Sequence, residues 1–102
     1  MPTLDELAGK MKALGHPLRL KIAALLAKKG GDMYLNEIAN DLGINRALAK
    51  IHLKKLERAG IVKSRVVLVE DEARALRYYK LQEFDVHVSP ELLKKEVRKN
   101  GN

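Results

Sequence analysis

Apolar side chains recur every three or four residues along most of the chain and change to an alternating pattern only once, after Gly60. Leu4, Leu7, Met11 and Leu14 share one side of a helix running from about Leu4 to Ala13, opened by a Thr3/Glu6 capping box and ended near Gly15. Pro17 suits the first turn of a second helix, where its missing N–H costs nothing. Leu18, Ile22, Leu25 and Leu26 form the buried stripe of that helix, Lys28 and Lys29 favour its C-terminus, and Gly30-Gly31 stops it. Met33-Tyr34-Leu35 allows only a short strand. Asn36 is the expected cap of a third helix with Ile38, Ala39 and Leu42 inward and Gly43 closing it. Asn45 caps a fourth, in which Leu48, Ala49, His52, Leu53 and Leu56 face a core and Gly60 supplies the left-handed end.

Beyond Gly60, Ile61 to Val69 is rich in β-branched residues and Leu76 to Leu81 reads as a second strand, with a polar loop from Glu70 to Ala75 between them. Gln82 to Val88 is irregular, with Phe84, Val86 and Val88 alternating. Ser89-Pro90-Glu91 then starts a last helix whose apolar side is Leu92, Leu93 and Val97, and the final Asn-Gly-Asn is expected to fray. The expectation is a single domain over residues 1–102, mainly α with a small β-hairpin (α+β). Its helix-turn-helix covers about 36–59, its wing about 61–81 and its C-terminal helix about 90–99. This is a winged helix-turn-helix with additional N- and C-terminal helices. Helical hairpins with a Gly turn also occur in proteins that never meet DNA, so the pattern alone does not decide the partner.

Charge narrows the choice. The 102 residues carry 20 Lys and Arg against 13 Asp and Glu, a net +7 that favours a polyanion, nucleic acid first and an anionic membrane surface second. Between Ile44 and Arg65 seven cations stand against Glu57 alone, a surplus of six. Cysteine is absent, which removes disulfides and thiolate metal sites together. No apolar run approaches the length of a membrane span, and the N-terminus is too polar for a secretory signal. The expected location is cytoplasmic and nucleoid-associated. Neighbouring carboxylates such as Asp71 and Glu72 do not make an acid/base site, and there is no phosphate-cradling Gly loop or activated nucleophile, so no enzymatic activity is expected.

The fourth helix sets an apolar side against a basic one, which is how a DNA recognition helix is built. Arg46 and Lys50 lie in its first turns, where either can donate to guanine O6 and N7. Ile51 and the small Ala47 sit among them. Ile51 has two readings, contact with a thymine methyl or a core position after a modest rotation. Asn45 caps the helix and is placed to reach phosphate, and Lys54 and Lys55 suit phosphate better than bases. From the wing, Lys63, Arg65, Arg74 and Arg77 are the candidate phosphate contacts, although Glu70-Asp71-Glu72 at its tip would be repelled by DNA. For every one of these cations the plain alternative is a solvated face. His52 reads as a packed, hydrogen-bonded core residue and His16 as a turn residue.

Leu14-Gly15-His16-Pro17-Leu18-Arg19-Leu20-Lys21-Ile22 resembles the LGxPxRLxIL signature of ArsR-type winged-helix regulators. Ile38 to Asn45 is similar to their first helix and turn, His52 to Val62 to the end of their recognition helix, and Arg77 to Leu81 to their second wing strand. The resemblance covers roughly Leu14 to Leu81 and its style fits an archaeal branch. It implies a homodimeric transcription factor on a palindromic operator. The first and last helices would form the interface, here Leu4, Leu7 and Met11 with Leu92, Leu93 and Val97. Metal-sensing members carry a Cys-x-Cys pair where Tyr34 and Asn36 stand here, and His16, His52 and His87 are scattered, so no metal effector or cofactor is expected. Lys50 and Ile51 replace the family's usual Ser/His pair, so its operator preference does not transfer. Two rival readings stay open: a winged helix used for protein–protein contact, and low-specificity architectural coating of DNA.

Overall fold

Thr3, His16, Asn45 and Ser89 each place a side-chain acceptor on a free backbone N–H at a helix start, at 3.1, 3.1, 2.7 and 3.1 Å. The elements in chain order are α1 (Leu4–Leu14), α2 (Pro17–Lys29), β1 (Met33–Tyr34), α3 (Leu35–Leu42), α4 (Arg46–Arg58), β2 (Val62–Val69), β3 (Arg74–Leu81) and α5 (Pro90–Lys99). They are seen in a computed structural model that describes residues 3–69 and 74–99.

Two boundaries differ from expectation. Helix α3 starts at Leu35, with Tyr34 rather than Asn36 in the N-cap position. Tyr34 has no short side chain to offer the helix; instead the Glu37 carboxylate accepts from the Tyr34 N–H at 3.3 Å, so Asn36 is drawn into the first turn. The loop of the hairpin is also shorter than 70–75. Arg74 and Ala75 continue the ladder opposite Val69 and Leu68, since the pairing of two apolar strand ends outweighs the weak strand preference of Ala75. The acidic Glu70-Asp71-Glu72 tip lies outside the described residues.

The hairpin is joined by β1 on the free edge of β3, with Met33 opposite Tyr79 and Tyr34 opposite Tyr78, so the sheet has three strands in the order β1-β3-β2. Its base closes the core. Ile22 and Leu26 from α2, Ile38 from α3, Leu53 and Leu56 from α4, and Met33, Ile61, Val62 and Tyr79 around the sheet are all within 2% of complete burial. Each such aliphatic side chain contributes roughly 1.5–3 kcal/mol by leaving water. Gly60, at φ 76°, turns the chain from α4 into β2 in a backbone region that side chains other than glycine rarely adopt.

The flanking helices are attached unequally. On α1, Leu7 and Ala13 are buried within the chain, Leu4 is half-buried and Met11 is 45% exposed. Leu7, expected at an interface between subunits, thus fastens α1 to its own domain. Among the described residues, the principal packing pairs join α1–α4 and the sheet. On α5, Leu92 is half-buried and Leu93 exposed; the side chain of Val97 is outside the described residues.

Candidate nucleic-acid interface

Helix α4 separates its two sides cleanly. Ala49, His52, Leu53 and Leu56 are buried, while Arg46, Ala47, Lys50, Ile51, Lys54, Lys55 and Arg58 are exposed. Ile51 is 53% exposed, which rules out its core reading and leaves a branched apolar side chain amid cations. Helix α3 packs on α4 across a tight turn in which Gly43, at φ 65°, and Ile44 return their N–H groups to Asn40 and Ala39 at 3.2 and 3.0 Å. Ile44 packs against the core behind that turn. Asn45 then starts α4 with its exposed side chain occupied by the Leu48 N–H.

The apolar pattern does not reveal what holds α4 from behind. Arg19 sits on the buried stripe of α2, in helical register with Ile22, Ala23 and Leu26, and is only 8% exposed. Its Nε and one terminal nitrogen donate to the carbonyls of Ala13 and Lys12, in the last turn of α1, and its other terminal nitrogen lies 3.2 Å from Nδ1 of His52. Since guanidinium can only donate, His52 accepts at Nδ1 and carries its proton on Nε2. The imidazole of His16 lies against that of His52, centroids 4.5 Å apart, while its own Nδ1 caps α2. Burial, and then the neighbouring His16, Arg19 and Lys55, push the His52 pKa below its ordinary value. His52 is thus the packed core histidine expected, and His16 is a helix cap rather than a bare turn residue.

The wing divides the expected phosphate contacts. Arg65 donates from Nε to Asp32 at 2.8 Å and spreads over the Tyr78 ring at 5.2 Å, so part of its fork is taken inside the chain. Arg77 is exposed and donates to Ser64 Oγ at 3.0 Å, and Ser64 donates in turn to Glu57 at 2.7 Å. That chain of bonds ties β3 to the one acid on α4. The side chain of Arg74 lies outside the described residues. Further along the wing, Val66 and Leu68 are 50% and 77% exposed, so the outer part of β2 presents apolar side chains. Among the described residues no group of three or more His, Asp or Glu side chains is placed to hold a metal ion, and no helix is long and apolar enough to cross a membrane.

Residues 16–64, from the start of α2 into the wing, match the family model described as bacterial regulatory protein, arsR family. The chain is also 39% identical, over 84 residues, to an uncharacterized HTH-type transcriptional regulator of Methanocaldococcus jannaschii, a match spanning 82% of this chain and 84% of that one. The chain belongs to the arsR family of transcriptional regulators. Among solved structures, it is similar to the homodimeric winged helix-turn-helix DNA-binding domain (fragment 1-100) of Mb0332 from Mycobacterium bovis. The TM-score there is 0.68 and the identity 30%, over 96% of this chain and 82% of that one. Reduced HlyU from Vibrio cholerae shares the fold, with a TM-score of 0.65 at 20% identity over 96% and 92% of the two chains. As an arsR-family chain it is a winged helix-turn-helix DNA-binding regulator, and α3 and α4 are its helix-turn-helix. The relative from M. jannaschii is archaeal, in keeping with the style of the sequence.

Proposed function

We propose that this regulator acts as a homodimer on chromosomal DNA in the cytoplasm, reading a palindromic operator with one α4 in each of two successive major grooves. The observation that carries this reading is the two-sided α4, whose seven exposed residues include five cations and whose opposite side is buried. Arg46 and Lys50 would read base edges, Ile51 and Ala47 pack against the groove floor, and Asn45, Lys54 and Lys55 hold the backbone. Arg77, oriented by Ser64, is the better placed of the wing cations, with Arg65 and Arg74 secondary. The chain works by binding and not by catalysis.

Helix α5 supports the dimer. It presents the half-buried Leu92 and the exposed Leu93, and α1 exposes Met11. Leu4, Met11, Leu92, Leu93 and Val97 are the residues proposed to meet the second subunit. Footprinting on a duplex selected from a random pool tests the arrangement. Two protected patches about 34 Å apart on one face of the duplex are expected; a single patch, or continuous protection, contradicts it.

A further inference from the structure

Between α1, the first turn of α2 and the last turn of α4 lies an open cavity of about 340 Å³. Four of its seven lining residues, Lys12, Arg19, Lys55 and Arg58, are cationic, and none is acidic. The adjoining depression beyond Arg58 adds Lys10 and a single carboxylate, Glu6. The ion pairs among the described residues lie elsewhere, Lys29 with Glu37 and Arg65 with Asp32. At the back of the cavity Arg19 is more than nine-tenths buried, and its partners are two carbonyls and a neutral imidazole. Those acceptors take three of its five N–H hydrogens and leave its charge uncancelled. A buried guanidinium lacking a counter-ion is costly, and three more cations at the same opening focus the positive potential there.

We propose that this cavity binds a small phosphate-bearing molecule, a phosphomonoester or diphosphate of metabolite size. A phosphate concentrates about two negative charges in one compact group, which a single carboxylate does not, and Lys and Arg donors suit its oxygens. The volume is near the low end of small-ligand sites, about 300 Å³ and upward. Because the lining runs from α1 to the end of the recognition helix, the bound molecule cross-braces the two. The site shares Lys55 with the proposed backbone contacts but includes neither Arg46 nor Lys50, the proposed base readers, and its test requires no operator.

The test titrates the ¹⁵N-labelled full chain with sodium pyrophosphate at constant ionic strength. Saturable movement of the Gly9, Ala13 and Ala59 amides is expected, together with a Tm that rises with ligand concentration. Lys12→Gln and Arg58→Gln, both on exposed side chains, should keep the folded spectrum and each weaken binding about tenfold, one charge-assisted bond's worth. Absence of movement at those amides overturns the proposal, as does movement confined to Arg46, Lys50 and Lys54, or wild-type affinity in both variants. A parallel titration with duplex DNA separates the other source of phosphate. Pocket amides that answer the duplex but not pyrophosphate would assign the cations to the DNA backbone and overturn the small-molecule site.

Discussion

Arg19 on α2 and His52 on the recognition helix meet at 3.2 Å, guanidinium nitrogen to Nδ1. The same guanidinium holds the end of α1 through the carbonyls of Lys12 and Ala13. One buried cation thus joins three helices, and it requires an unprotonated acceptor on α4, the helix proposed to read DNA. Replacing His52 by Leu leaves that donor unsatisfied and is expected to cost about 1–3 kcal/mol, measured as a shift in urea-unfolding midpoint. A change within experimental scatter would deny the contact any structural weight.

The same contact gives a pH dependence. The folded-state pKa of His52 lies below its ordinary value of 6.5, so between that depressed value and 6.5 the unfolded chain binds more protons than the folded one. Stability is therefore complete above about pH 6.5 and falls on acidification until the folded value is passed. His52→Gln, which keeps an acceptor for Arg19 but cannot titrate, should show a shallower acid decline. Equal slopes in the two proteins would contradict the assignment.

The helices, the caps at Thr3, Asn45 and Ser89 and the exposed face of α4 were legible in the sequence because period, N-cap residues and glycine ends act locally. Arg19 was not, although its place on the stripe with Ile22, Ala23 and Leu26 carried the signal: a cation in an apolar register needs partners, and those partners come from α1 and α4. Tyr34 hid the start of α3 because the acceptor there comes from Glu37, three residues on. β1 was readable as a short strand, but its place beside β3 depends on pairing Met33 with Tyr79 and Tyr34 with Tyr78, far apart in the chain, which no local pattern encodes. The bonding of Arg65 to Asp32 is hidden for the same reason.

Arg46→Ala and Lys54→Ala should separate base reading from backbone contact. Losing a bidentate base contact removes about 1–3 kcal/mol of discrimination at one position of the site, while Lys54→Ala weakens all duplexes alike and lowers the salt slope by about one. Equal losses for Arg46→Ala on selected and scrambled duplexes would remove its base-reading role.

The Arg65–Asp32 pair is partly exposed, so Asp32→Asn is expected to cost no more than about 1 kcal/mol in stability. Its clearer effect lies in binding: freed from Asp32, Arg65 becomes available to phosphate, and affinity for any duplex should rise slightly at low salt. Unchanged or weaker affinity in an anisotropy titration would place Arg65 away from DNA.

Met11→Glu with Leu93→Glu sets charge on an exposed, large apolar residue of each of α1 and α5. The expected product is a folded monomer by light scattering, with helical circular dichroism retained. A dimer of unchanged strength would move the interface elsewhere.

Sequence reading by the α4 face is tested most directly by titrating the wild-type chain against a selected palindromic duplex and its scrambled counterpart at ~50 and ~200 mM salt, a range over which phosphate contacts weaken steeply. The account predicts a preference for the palindrome of about a thousandfold or more that survives the higher salt. Equal binding to both duplexes, collapsing together as salt is raised, would show a chain that only coats the phosphate backbone and would contradict it.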